Sequence, residues 1–185
     1  MTRTTLSTAD LRRPVVAAAA VQEFARGGYH GTTIADVARA AAISPAYVVK
    51  LFPTKERLFV TALEACFDRV VEAIAAGADR AEDTSPDGIL SAMGEAYAHL
   101  IADRTLLMLQ VHAQSVADLP EIGEALRAGL REVVDFAKDR SRGSDEAVQR
   151  FIAYGQLCHL IVTAQVDQVP EAWARLLVEG IRHPG

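Results

Sequence analysis

The sequence predicts an all-α protein of about nine helices, with a small N-terminal group of three joined to a larger helical domain. Alanine and leucine, both strong helix formers, dominate the chain. Alternating apolar and polar runs bounded by Asn-Gly or Asp-Gly, which would mark strands and hairpins, are nearly absent. Helix breakers recur along the chain at Gly27-Gly28, Ile43-Ser44-Pro45, Phe52-Pro53-Thr54, Asp83 to Gly88, Ala102 to Arg104, Asp118 to Pro120, Arg142 to Ser144 and Val169-Pro170.

The first helix is expected from near Asp10 to Arg26, with Leu11, Val15, Ala18 and Phe24 facing inward. Its start is left open by Pro14, because proline fits a helix only in the first turn. A second helix from Thr33 to about Ala41 carries Ile34, Val37, Ala38 and Ala41 on one stripe. Ser44 can cap a third, with Pro45 as its first residue and Phe52 as its end before Pro53. Two short helices across a tight turn have the spacing of a helix-turn-helix. Thr54-Lys55-Glu56-Arg57 then opens a long fourth helix to about Ala78, with Leu58, Leu63, Phe67, Val70 and Ile74 among its apolar positions. Later helices are expected at Ile89 to Ala102, Thr105 to Val116, Gln149 to Val166 and Ala172 to Ile181.

In 185 residues, 50% apolar and 23% charged, the composition is that of a globular protein. A run of about 18 uncharged apolar residues and a signal-peptide pattern are both lacking, which predicts a cytoplasmic protein with no membrane partner. Cys66 and Cys158 sit far apart in apolar helical surroundings and read as small buried hydrophobes. The five histidines, at 30, 99, 112, 159 and 183, are scattered, and the sequence holds no Gly-rich phosphate loop and no Gly-x-Ser-x-Gly. No catalytic residue, metal site or cofactor is predicted.

The net charge of -5 conceals a division. Residues 1–60 hold eight Lys/Arg (Arg3, Arg12, Arg13, Arg26, Arg39, Lys50, Lys55, Arg57) against four acids, a net +4, which leaves -9 on the rest. A basic head on an acidic body suits a protein whose head alone meets phosphate, although chance segregation gives the same numbers.

Within that head, the stretch from Ala18 to Phe59 is ordered and spaced as a known pattern. It runs through Phe24, Gly28-Tyr29, Thr32-Thr33-Ile34, Asp36-Val37-Ala38, Ala41, Ile43-Ser44, Leu51-Phe52-Pro53-Thr54-Lys55-Glu56 and Leu58-Phe59. In these residues the chain resembles the DNA-binding domain of the TetR (tetracycline-repressor-like) family. The resemblance implies a helix-turn-helix DNA-binding domain over residues 1–58 and a helical ligand-binding and dimerisation domain over 59–185. The N-terminal end of the third helix would face the major groove, presenting Ser44, Pro45, Ala46, Tyr47 and Lys50. Thr32, Thr33 and Lys55, at helix starts, would meet phosphates. Phe24, Tyr29, Ile34, Val37, Leu51 and Phe52 read instead as core. Two positions depart from the family pattern. Ala42 replaces a turn glycine, and alanine at positive φ costs on the order of 1–2 kcal/mol, so the turn is expected to be slightly reshaped. Val49 replaces a tyrosine that commonly meets phosphate, a task left to Tyr47 or Lys50.

For the larger domain two tasks are expected. Ile152, Leu160, Ile161, Trp173, Leu176 and Leu177 are candidates for a homodimer interface, with ordinary core as the alternative. Met93, Tyr97, Leu100, Met108, His112, Phe151, Tyr154 and Cys158, with Leu109 and His159, could line a mostly apolar pocket for a small-molecule effector, or simply fill a core. The reading is a repressor released from its double-stranded DNA operator by a largely apolar ligand; an activator of the same fold, a helical interaction module and an enzyme are the alternatives.

Overall fold

The structure, a computed structural model, describes residues 8–180. Among the described residues there are nine α-helices, one short 3-10 turn and no strand, as the composition predicted. The helices are α1 Thr8–Gly31, α2 Ile34–Ala40, α3 Pro45–Leu51, α4 Lys55–Asp79 and α5 Pro86–Leu100, followed by α6 Thr105–Ser115, α7 Pro120–Ser141, α8 Asp145–Ala164 and α9 Ala172–Val178. The 3-10 turn, Val166–Gln168, links the last two. No helix of the described residues is long and apolar enough to cross a membrane.

Helix starts follow local chemistry closely. Ser44, Ser85 and Ser144 each accept a hydrogen bond from a backbone N–H three residues on, and the first two are followed by proline at the first helical position. The Ser144 cap starts α8 at Asp145, four residues ahead of the expected Gln149. At the other end α9 stops at Val178, and Ile181 lies outside the described residues.

The inward face of α1 differs from the expected one. Val16, Ala20, Val21, Phe24 and Ala25 are buried, whereas Leu11, Val15 and Ala18 are exposed. Val15 lies nine residues before Phe24, about two and a half turns, and so on the opposite side of the helix. The helix also begins ahead of Pro14, which lies inside it. Near its end Gly28 takes φ 66, a left-handed conformation that breaks the helical path.

By backbone contacts the chain forms two units. The first holds residues up to Cys66 together with Leu109–Arg127. Its core is aromatic at the centre: Phe59, fully buried, packs edge-on against Phe24 at 4.8 Å and Tyr29 at 5.5 Å between ring centroids. Val37, Ala38, Val48 and Leu51 bring α2 and α3 against α1. His112 packs on Gly28, where an added Cβ would lie 3.0 Å from its Nδ1.

The second unit holds Phe67–Met108 and the chain from Ala128 onward. Close helix approaches there depend on glycine. A Cβ on Gly77 would fall 2.6 Å from the Ala92 carbonyl oxygen, and one on Gly129 only 2.1 Å from the Phe67 ring. Met93, Ala96 and Tyr97 on α5 and Ile101 just after it are buried, and α5 packs against α8. Ile161 and Ala174 close a smaller cluster over the 3-10 turn with Val166, flanked by Leu157, Leu177 and Val178.

Candidate nucleic-acid interface

The turn between α2 and α3 is built by short-range hydrogen bonds. Thr33 caps α2 reciprocally: its hydroxyl accepts from the Asp36 N–H at 3.2 Å, and the Asp36 carboxylate accepts from the Thr33 N–H at 2.9 Å and hydroxyl at 2.6 Å. These bonds, and then Arg39, hold the Asp36 carboxyl down to about 2. At the other end of α2 the Ala42 N–H donates to the Arg39 carbonyl and the Ile43 N–H to the Ala38 carbonyl, at 3.1 and 3.0 Å. That is a Schellman ending, and it requires the residue in the middle to be left-handed. Ala42 complies, with φ 54. The turn is therefore not reshaped by alanine; the hydrogen bonds of the ending hold it. Because Ala42 is exposed, Ala42→Gly should relieve the strain and raise stability by about 1 kcal/mol, read as a higher urea midpoint at an unchanged slope.

Ser44 and Pro45 then launch α3, whose Val48 and Leu51 are buried. Pro45, Ala46, Val49 and Lys50 are exposed and Tyr47 is half-buried, so one side of this two-turn helix is held by core and the other is presented outward. The exposed Ser44 hydroxyl already accepts from the Tyr47 N–H at 3.2 Å. Val49 presents an apolar surface at the position expected to have lost a phosphate contact.

One expected contact is corrected. Thr32 is 2% exposed and its hydroxyl donates to the Glu23 carbonyl at 3.0 Å, tying α2's approach to α1 instead of facing phosphate. Gly27 makes this possible, since a Cβ there would lie 2.7 Å from the Thr32 hydroxyl oxygen.

Two cations rest on aromatic rings, which sequence reasoning missed. The Lys55 ammonium sits 4.5 Å above the centroid of Tyr29, and the Arg13 guanidinium 5.3 Å above that of Phe52, the residue that ends α3. Tyr29 is in turn fixed by donating its hydroxyl proton to Glu56 at 2.5 Å. Burial, and then this carboxylate, push the phenol up to about 12, and the same bond lowers the Glu56 carboxyl. Glu56 therefore stays ionised and holds the ring on which Lys55 rests. No local pattern could have revealed either pair, because the partners are 26 and 39 residues apart.

Against known proteins, residues 16–62 match the model of the bacterial regulatory proteins of the tetR family. The match covers this segment alone, 47 of the 185 residues. Solved structures share the fold over nearly the whole chain. A tetR-family transcriptional regulator from Agrobacterium tumefaciens is 18% identical with a TM-score of 0.70, covering 95% of this chain and 96% of its own. The transcriptional regulator FadR from Bacillus subtilis, solved in complex with stearoyl-CoA, is 17% identical with a TM-score of 0.68, covering 91% and 99%. The multidrug binding protein EbrR, complexed with imidazole, is 19% identical with a TM-score of 0.64, covering 95% and 92%. No curated protein sequence matches the chain.

The candidate effector residues are only partly brought together. Tyr97 and His159 are joined by a hydrogen bond of 2.5 Å between the phenol and Nε2, and both are buried, as are Met93 and Cys158. Burial pushes the His159 imidazole down to about 4, so it is neutral at pH 7, and pushes the Cys158 thiol up. Phe151, Leu100 and Met108 are half-buried, and Tyr154 is exposed. His112 and Leu109 belong to the first unit, with His112 on Gly28. Of the candidate dimer residues, Leu160, Trp173 and Leu176 are more than half exposed, and Leu177 is half-buried. Ile152 lines an open groove of about 520 Å³ between α7 and α8. Ile161 is fully buried in its own chain's cluster and presents nothing to a partner.

Proposed function

We propose that the protein is a homodimeric, cytoplasmic repressor that reads an operator with α3 and leaves it when a small, mostly apolar effector binds in the second unit. The observation that carries this is the outward side of α3, with Pro45, Ala46, Tyr47 and Lys50 free of core duty beside two cations held on aromatic rings. Pro45, Ala46 and the Tyr47 ring suit apolar contact in a major groove, and Lys50, Lys55 and Arg13 suit the flanking phosphates. Thr33, exposed at the start of α2, adds a further backbone-side contact.

Dimerisation through α8 and α9 accounts for the exposure of Leu160, Trp173 and Leu176, since large exposed apolar side chains favour burial against a second copy. Effector binding is supported by the stearoyl-CoA and imidazole seen on proteins of this fold. Helix α4 has residues in both units, Lys55–Cys66 in the first and Phe67–Asp79 in the second, and is the element through which an effector would alter the separation of two heads. Heads must stay about 34 Å apart to enter successive major grooves. Repression follows from occupancy of a promoter.

The test is selection of bound fragments from genomic DNA, followed by transcription in vitro from the promoters recovered. Transcription should fall as protein is added. A rise would replace repression by activation, and a selection that enriches no fragment would contradict the reading. Trp173→Glu with Leu176→Glu should sediment as a monomer and lose the enriched fragment.

A further inference from the structure

The buried pair Tyr97–His159 has no part in reading DNA, and its surroundings differ from the rest of the second unit. Phe151, Gly155 and His159 lie four residues apart on one face of α8, the face that meets α5. A Cβ built on Gly155 would meet only the Tyr97 ring, at 3.8 Å, and one built on Gly94 of α5 would meet only the Phe151 ring, at 4.0 Å. Gly77 and Gly129 are there because a Cβ would collide; Gly94 and Gly155 leave room instead. Both are half-buried, so neither glycine is sealed inside the unit.

The polar group at this place is incomplete. His159 is 4% exposed, and its Nδ1 has no hydrogen-bond partner among the described residues. A phenol is a far stronger proton donor than a neutral imidazole N–H, which assigns the Tyr97 proton to the bond with Nε2 and the imidazole's own proton to Nδ1. The result is a buried N–H donor with no acceptor among the described residues, an arrangement buried polar groups ordinarily avoid.

We propose that the Tyr97–His159 pair is the polar anchor of the effector site, and that the effector is a mostly apolar molecule bearing an accepting oxygen, carbonyl or carboxylate, that receives the hydrogen bond from His159 Nδ1. This rests on the effector-release reading above and narrows it to a ligand class. Tyr97 acts by fixing the tautomer, and the glycines admit the apolar body beside it.

The test uses the full-length protein with 15N-labelled histidine and three probes of similar size: toluene, acetophenone and benzoate. Without ligand, His159 should show the proton on Nδ1. Acetophenone or benzoate should bind about tenfold tighter than toluene, the worth of one hydrogen bond to a buried donor, and shift the Nδ1 resonance. The better of the two says whether a neutral carbonyl or an anion is the preferred oxygen. In His159→Phe the three affinities should converge on that of toluene. Should that variant fail to fold, the wild-type tautomer and the wild-type ranking decide alone. A proton on Nε2, equal binding of toluene and the oxygen-bearing probes, no binding of any probe, or a preference that survives His159→Phe would each overturn the proposal. Titrating the same samples with an enriched DNA fragment separates the two failures: DNA binding that persists without ligand discrimination removes only this proposal, whereas a wild-type protein that binds no DNA removes the regulator reading itself.

Discussion

Phe59→Ala is expected to lower the stability of the protein by about 3–5 kcal/mol, the range for emptying a buried phenylalanine site. Phe59 is fully buried and is the ring on which both Phe24 and Tyr29 close edge-on. Its removal leaves a cavity that helices α1 and α4 can fill only by moving. Marginal stabilities of about 5–15 kcal/mol make such a loss a large fraction of the whole. The effect should reach DNA binding as well, because Tyr29 supports both Glu56 and Lys55. Urea denaturation followed by circular dichroism reads the loss; a change below about 1 kcal/mol would mean that the aromatic cluster is not the centre of this core.

Acidification should destabilise the protein through His159 between pH 6.5 and about pH 4. The folded imidazole is held down to about 4 by burial, against its ordinary value of 6.5. As pH falls through 6.5 the unfolded chain takes up this proton while the folded chain does not, so unfolding is favoured increasingly down to pH 4 and no further below it. A displacement of that size corresponds to roughly 3 kcal/mol over the window. At pH 7 both states are neutral and the term vanishes. Asp36 acts in a lower window with the same sign: held down to about 2, it stabilises the fold above its ordinary value of 3.8 and loses that contribution between about 4 and 2. Urea midpoints of wild type and His159→Phe at pH 7, 5.5 and 4.5 isolate the histidine, since the difference between the two proteins should shrink or reverse as pH falls. Parallel curves would contradict the burial of His159.

Much of the head was legible because its signals are local. Thr33, Ser44, Pro45 and Pro53 set helix ends by bonds within three or four residues, and the structure places those ends within a residue of expectation. The phase of α1 was not legible, since the run Ala17 to Ala20 offers little contrast between faces and Leu11 and Val15 suggested a stripe that the core does not use. Ala42 shows a local rule overruled by neighbours: the preference of alanine against positive φ yields to two backbone hydrogen bonds that only that geometry permits. Thr32 was misread because the acceptor that turns its hydroxyl inward, the Glu23 carbonyl, lies nine residues back on another helix. Tyr97 and His159 were individually candidates for a pocket, but their pairing spans 62 residues and needed the packing of α5 on α8 to be seen. Exposure also separates what composition could not: Ile161 and Leu160 are neighbours in sequence, one sealed in its own chain and the other exposed.

The central claim, that α3 and its flanking cations read a DNA sequence, is tested most directly by fluorescence anisotropy on an enriched genomic fragment against random competitor at several salt concentrations. Binding should survive the competitor and weaken linearly on logarithmic axes with salt. Lys55→Ala should weaken binding on all sequences and reduce the salt slope by about 1, whereas Tyr47→Ala should cost more on the enriched fragment than on random DNA. Equal affinity for both DNAs, or variants that fold normally and bind as the wild type does, would contradict the assignment of α3 as the reading helix.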